Sequence, residues 1–207
     1  MRTKRIVTII LSIALLFTAA GIALAANGSE SAGNAAGDTN YMALMIQAAC
    51  SNDVQAGQKA QEARDAKIAA LGLDNYKKIS FEDLHLLGKI IYWEAGSEWL
   101  SDHWKLCVGE VVLNRVASPE FPGTIKTVVY QKGQYSGANS NFFKNQKPSE
   151  RCVVLALKLL EGERALDAPS VVFQANFRQG SGVHTALYDS RLGWTYFCYS
   201  SRPYLYA

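Results

Sequence analysis

The segment from Ser80 to Gly162 contains three stretches with apolar residues at helical spacing, and each is bounded by start and stop signals. Ser80 precedes two acidic residues as an N-cap, and Gly96 ends the first apolar series. We predict a second helix from Ser101 to Ser118-Pro119 and a third from Pro148 to Gly162. Three such helices bury their apolar faces only by packing together or against a sheet, so we expect a helix-rich core.

Two later segments, Val171–Ala175 and Trp194–Tyr199, are rich in β-branched and aromatic residues, which is typical of strands. The two can pair in antiparallel orientation. The stretch 124–130 fits a strand or a short helix, because its periodicity does not distinguish them. We interpret 133–145 as a polar loop rich in Gly, Asn and Ser. The predicted fold class is therefore α+β, with several helices and a small antiparallel sheet.

Residues 41–76 differ in composition from the rest of the chain. Two Ala- and Gln-rich helical stretches, 41–50 and 53–71, are interrupted at Ser51-Asn52, which predicts a helical hairpin appendage over 41–76. The preceding residues, 26–40, are rich in Gly, Ser, Ala and Asn, and we interpret them as a linker. The main domain is expected over 77–207.

The first 25 residues have the pattern of a secretory signal peptide. Arg2 to Arg5 form a basic end, an apolar run follows from Ile6, and Ala23-Leu24-Ala25 offers a small-x-small exit. An uncleaved anchor is the alternative interpretation, because residues 6–26 span about the 20 residues that a bilayer requires. Both interpretations predict that the folded part lies outside the cytoplasm.

The net charge of +3 is concentrated in this N-terminal segment. Lys plus Arg total 21 and Asp plus Glu total 18, and Arg2, Lys4 and Arg5 supply the excess of three. The rest of the chain is neutral, so it lacks the charge that would attract a nucleic acid. We expect no nucleic-acid partner, and contact with a membrane only through the N-terminal segment if that segment stays uncleaved.

The cysteines and histidines predict neither a metal site nor a cofactor. In an exported chain, the four cysteines allow three disulfide pairings that the sequence leaves open. None forms a Cys-x-x-Cys pair or has zinc-ligand spacing to a histidine, and buried thiols are expected for Cys107 and Cys152. The residues considered are Cys50, Cys107, Cys152, Cys198, His85, His103 and His184.

Glu94 is the candidate catalytic residue, because it lies between aromatic residues in the last turn of an apolar helix. Burial beside Trp93, the negative end of the helix macrodipole and a like charge at Glu98 would all raise its pKa. A carboxylic acid that stays protonated near neutral pH can protonate a glycosidic oxygen. The alternative is an ordinary solvated glutamate at a helix end.

Four segments around and after Glu94 occur in an order that resembles the catalytic domain of the cell wall hydrolase family of spore cortex-lytic enzymes. The similarity extends from about Leu84 to Tyr199. The segments are Ile91-Tyr92-Trp93-Glu94-Ala95-Gly96-Ser97-Glu98, Val108-Gly109-Glu110-Val111-Val112-Leu113-Asn114-Arg115-Val116, Ser118-Pro119-Glu120-Phe121-Pro122-Gly123-Thr124-Ile125 and Val129-Tyr130-Gln131-Lys132-Gly133-Gln134-Tyr135.

The resemblance implies a compact lysozyme- or transglycosylase-like fold and an exported lytic transglycosylase that cleaves the MurNAc-GlcNAc bond of cell wall or spore cortex. Glu94 matches the family's catalytic acid, Glu98 its second acidic position, and Gln134-Tyr135-Ser136 its Gln-aromatic-Ser segment. The chain departs from the family at Gly137, where proline is frequent, and it lacks a histidine that often precedes the aromatic pair near the C-terminus.

A cleft for glycan strands needs aromatic platforms with amide and hydroxyl side chains between them. The residues that offer these groups are Tyr130, Gln134, Tyr135, Gln174 and Asn176. We expect these five residues and Glu98 to bind peptidoglycan. A hydrolytic muramidase that uses Glu94 and Glu98 as two carboxylates is an alternative. A zinc amidase that cuts the stem peptide and a non-catalytic wall-binding module are further alternatives.

Overall fold

The computed structural model describes residues 39–73, 76 and 78–206, so the predicted signal segment and most of the linker lie outside the described residues. No helix within these ranges has both the length and the apolar content needed to cross a bilayer. The elements of the described chain are α1 (Tyr41–Ser51), α2 (Val54–Ala70), α3 (Phe81–Ala95), α4 (Asp102–Ala117), α5 (Ile125–Val129), α6 (Asn141–Asn145), α7 (Glu150–Glu161), β1 (Val171–Ala175), β2 (Val183–Asp189), β3 (Gly193–Tyr199) and a 3-10 helix (Pro203–Tyr206).

Each of the α-helices α1 to α7 follows a polar N-cap residue whose side-chain oxygen accepts a hydrogen bond from a backbone N–H of the first turn. Ser80 and Ser101 are the N-caps of α3 and α4, as predicted. The third predicted helix, α7, begins after Ser149, whose hydroxyl accepts from the amide of Cys152, so Pro148 precedes the cap. Helix α7 ends at its C-cap Gly162, whose φ of 119° lies in the left-handed region.

Two segments between α4 and α7 form short helices. The ambiguous stretch 124–130 contains α5, in which Ile125, Val128 and Val129 are buried on one side. The prediction of a polar loop was wrong over 141–145, where Ser140 caps α6 and Phe143 fills a place in the core. A helix this short has too few residues for a periodic pattern, so packing of Phe143 and the cap define it instead.

The sheet is antiparallel, with the strand order β1-β3-β2. Ala175 faces Tyr196 in the β1–β3 pair, which confirms the predicted pairing of these two strands. Strand β2 was not predicted, because it mixes His, Thr and Ala with apolar residues and none of its residues is buried. The predicted α+β fold, with helices and a small antiparallel sheet, is confirmed.

The helical hairpin of α1 and α2 packs on the same core as α3 and α7. Met45 and Ala49 of α1 are completely buried with Phe81 and Leu84 of α3. A second apolar cluster joins α4 to the sheet. The domain boundary at 76/77 stays a prediction, and the structure adds that α1 contributes buried side chains to the core.

The four cysteines are free thiols, and Cys107 and Cys152 are buried as expected.

We expect Gly57→Ala to destabilise the protein, because a methyl group at Gly57 would meet the Phe81 ring at 2.2 Å. Overpacking of this kind costs about 1–3 kcal/mol. The gain in helix propensity offsets about 1 kcal/mol of this at most. Denaturant unfolding measures the net loss, with Gly123→Ala as the control, because no atom lies within 4 Å of that position. Equal stability of the two variants would contradict the packing of α2 on α3.

Candidate active site

Glu94 lies in the last turn of α3, where the helix meets an open groove of about 1090 Å³. Leu87, Ile90 and Ile91 precede Glu94 by one or two turns on the same side of α3, and they are completely buried. The Glu94 side chain is accessible from the groove. Glu94 therefore continues the buried side of α3 at the turn where that side reaches the groove.

Lys105 of α4 holds the end of α3 in place. Its side chain is completely buried, and its ammonium donates to the carbonyl oxygen of Ala95 and, at 2.9 Å, to that of Ser97. These bonds satisfy carbonyl groups at the C-terminal end of α3, where a positive charge also interacts favourably with the helix dipole. The backbone on the C-terminal side of Glu94 is thereby tied to α4.

Gln174 of β1 donates a hydrogen bond from Nε2 to Oε2 of Glu94 at 3.3 Å. The sequence predicted both residues for the site, and the structure brings them into contact although they are 80 positions apart. The sheet thus supplies a polar partner to the end of α3.

The pKa of Glu94 is raised above its ordinary value, chiefly because the surrounding protein groups reduce the hydration of its carboxylate. The hydrogen bond from Gln174 and the positive charge of Arg115 act in the opposite direction and lower it. The direction of the shift agrees with the sequence analysis, but the residue is exposed, so neighbouring groups that displace water raise the pKa without enclosing the side chain. Glu98 is not among the causes, so the expected like charge does not contribute.

Two aromatic side chains form one wall of the groove. Trp93 donates from its indole Nε1 to the carbonyl oxygen of Ser136 at 3.0 Å, and the edge of Phe143 packs on it at 5.5 Å. Phe142 of α6 lies 5.7 Å from Trp93 between ring centroids and is 75% exposed. An apolar ring exposed to this degree beside a fixed indole is a suitable surface for a sugar ring.

Polar side chains line other parts of the groove. They come from the C-terminal end of α3 and from α6 with the residues after it, and they are Ser97, Asn141, Asn145, Gln146 and Lys147. Sequence analysis missed Phe142 and these amides because it assigned their segment to a loop. The available signal was Ser140 as an N-cap followed by two adjacent phenylalanines.

The remaining predicted tyrosines lie away from the groove surface. Tyr135 is 6% exposed and packs against Arg115, whose guanidinium lies 5.0 Å from the centre of the tyrosine ring. Tyr130 packs against the edge of Phe143 and lines a separate cavity of about 400 Å³ with Lys89 and Lys126. Direct stacking of a sugar on Tyr135 would therefore require the core to open.

The other predicted residues are not in contact with Glu94. The Glu98 side chain is 71% exposed and pairs with Arg151 at 3.7 Å. Gln134 is half-buried and Asn176 is exposed just after β1, and neither is among the residues that line the groove. A substrate-binding role for these residues stays a prediction. Within the described ranges, no group of three or more His, Cys, Asp and Glu side chains is placed to hold a metal ion.

Comparison with known proteins found one family model that matches part of the chain. Residues 101–186 match the family model described as Cell Wall Hydrolase. The match confirms the resemblance to a cell wall hydrolase catalytic domain and supports a hydrolytic role on cell wall peptidoglycan. It includes Gln174 and α6, whereas Glu94 and Glu98 lie before it. Searches of curated proteins and of solved structures found no match.

We expect Gln174→Leu to raise the pKa of Glu94 further, because the change removes a hydrogen bond that favours the charged carboxylate. Titration of the Glu94 carboxyl carbon by NMR measures this directly. Gln179→Leu is the matched control, since Gln179 lies at another cavity with Arg178 and Tyr196. An identical titration of Glu94 in both variants would show that Gln174 does not influence it.

Proposed function

We propose that this chain is an exported lytic transglycosylase that cleaves the MurNAc-GlcNAc bond of peptidoglycan, with Glu94 as its single general acid and base. The observation that carries the proposal is that Glu94 is the only carboxylate among the described residues that line the groove. Its raised pKa keeps a larger fraction of the side chain protonated, as an acid catalyst requires.

One carboxyl group is sufficient for this reaction. In the first step, Glu94 donates its proton to the glycosidic oxygen as the bond from that oxygen to the muramyl anomeric carbon breaks. In the second step, the Glu94 carboxylate accepts the proton of the muramyl 6-hydroxyl while that oxygen attacks the anomeric carbon. The products are a free 4-hydroxyl on the departing sugar and a 1,6-anhydro ring, and Glu94 regains its proton.

The position of Glu98 favours this mechanism over a muramidase with two carboxylates. A hydrolytic glycosidase needs a second carboxylate that faces the reacting sugar or its attacking water. Glu98 instead pairs with Arg151, whose guanidinium also binds Asp102 at 2.6 Å. This arrangement directs the second predicted acid toward a surface ion-pair network.

The groove also has the size and lining expected for a glycan strand. Its volume of about 1090 Å³ slightly exceeds the usual range of small-molecule pockets, which is about 300–1,000 Å³. Trp93 and Phe142 provide apolar rings, and the amides of Asn141, Asn145 and Gln146 provide hydrogen bonds for hydroxyl and acetamide groups. The proposed export through residues 1–25 would bring this groove to peptidoglycan, in cell wall or spore cortex.

We expect Glu94→Gln to abolish the release of soluble muropeptides while the protein stays folded, because the glutamine amide is not acidic enough to protonate the glycosidic oxygen. Purified sacculi and spore cortex are digested separately, and the products are weighed by mass spectrometry. The wild type should yield anhydro products, each lighter by one water molecule than the hydrolytic product. In the wild type, the rate should fall as the pH rises through the raised pKa of Glu94.

Glu98→Gln is the matched control for this experiment, because it makes the same change at the exposed acid. We expect it to retain most of the activity and the same anhydro products. Hydrolytic products, or loss of activity in Glu98→Gln equal to that in Glu94→Gln, would instead support the muramidase. Unchanged release by Glu94→Gln would refute the proposal.

We expect Phe142→Ala to reduce kcat/KM by roughly fivefold, which corresponds to about 1 kcal/mol for a lost stacking contact with a sugar. Stability should change little, because the ring is 75% exposed. The control is Phe177→Ala, which removes a ring of similar exposure, 61%, that does not line the groove. Steady-state kinetics on soluble glycan fragments would detect the difference, and equal kinetics in the two variants would exclude Phe142 from the binding surface.

A further inference from the structure

Arg115 of α4 is a buried cation that lacks a carboxylate partner among the described residues. It is 4% exposed, and the salt bridges of the described chain do not include it. Its Nε donates to the carbonyl oxygen of Val172 at 2.7 Å, whereas its Nη1 is buried without a hydrogen-bond partner. Burying an unpaired charge is costly, so this arrangement calls for a physical reason.

Aromatic rings fix the position of the guanidinium. Its central carbon lies 5.2 Å from the centre of the Phe121 ring and 5.0 Å from that of Tyr135. Contacts of a cation with ring faces offset part of the cost of removing it from water. They leave the charge itself unneutralised.

Strand β1 connects Arg115 with the candidate acid. Val172 binds Arg115 through its carbonyl group, and Gln174, two residues further along the strand, binds Glu94. Two residues of a strand span roughly 7 Å, so both charged groups are attached to neighbouring points of one rigid element. The charge of Arg115 acts to lower the pKa of Glu94, which agrees with this connection through β1.

We propose that Arg115 is a positioning residue for proton transfer by Glu94, since its guanidinium provides the positive charge that the Glu94 carboxylate meets after donating its proton. This inference rests on the proposed function. The acid role requires Glu94 to be protonated before the reaction, and in that state Arg115 is an unpaired buried cation. Transfer of the proton to the glycosidic oxygen creates the missing negative charge, so the electrostatic cost of burying Arg115 decreases as the bond breaks.

Tyr135 supports this role through its ring. Burial raises the pKa of Tyr135 to about 12, and the negative charge of Glu94 contributes to the rise, so the hydroxyl stays neutral. A neutral tyrosine adds no charge that would compete with Glu94 for Arg115. The residue that the sequence suggested as a sugar platform thus packs against the guanidinium and helps to hold it in place.

The first test follows Glu94 in the unmodified, substrate-free protein. The carboxyl carbon of Glu94 and the Nε of Arg115 are both observed by NMR as the pH is raised. We expect the Arg115 resonance to shift with the same midpoint as the Glu94 carboxyl. An Arg115 resonance that does not respond to the ionisation of Glu94 would overturn the proposal.

The second test uses Arg115→Gln, which removes the charge but can still donate to the carbonyl group of Val172. We expect the Glu94 midpoint to rise by roughly one pH unit, the lower end of the effect of a nearby opposite charge. The basic limb of the rate profile should move upward by the same amount, and kcat should fall. Arg115→Lys retains the charge and should keep the Glu94 midpoint close to that of the wild type, which a purely structural role would not predict.

The outcomes separate this inference from the proposed function. Coupled titration of Glu94 and Arg115 without release of muropeptides would support the electrostatic link and refute the glycan-cleaving activity. If the wild type releases anhydro products but Arg115→Gln leaves the Glu94 midpoint unchanged, only the role of Arg115 is refuted. The first test uses the unmodified protein, so it can refute the role of Arg115 even if Arg115→Gln does not fold.

Discussion

Helix α4 imposes the main physical constraint on this structure, because it buries charged and polar side chains that need partners. Lys105 binds carbonyl groups at the end of α3, and Glu110 accepts hydrogen bonds from the backbone amides of residues 165–167. Asn114 donates to two carbonyl groups before and at the start of β1, and Arg115 donates to a third. One buried helix thereby determines where three other segments lie.

This constraint explains how a site forms from residues that are distant in sequence. The end of α3 carries Glu94 and is tied to Lys105, and β1 carries Gln174 and is tied to Asn114 and Arg115. Both halves are therefore positioned against the same helix, and the contact between Glu94 and Gln174 follows from it. A site supported by buried side chains on rigid elements keeps its geometry better than one supported by loops alone.

Local signals were sufficient for the elements that carry Glu94 and Gln174, because caps, glycine stops and apolar spacing act within a few residues. They failed where tertiary packing decides. Phe142 and Phe143 are adjacent in a five-residue helix, yet one is exposed and the other is completely buried. The sequence also suggested Tyr135 as a surface platform, and only the packing of Arg115 on its ring reveals the buried position. The motif indicated Glu94 as the candidate acid, whereas the surroundings of this residue depend on contacts between distant segments.

The charges around Glu94 fit a mechanism in which one carboxyl group acts first as an acid and then as a base. Such a group needs protonated and ionised states of similar free energy, because a strong preference for either state slows the other step. Reduced hydration of the side chain favours the protonated form, whereas the hydrogen bond from Gln174 and the charge of Arg115 favour the carboxylate. A second carboxylate in the groove would add to the first effect and shift the balance toward the protonated form. The outward position of Glu98 and the charge of Arg115 thus both limit the rise in the pKa of Glu94.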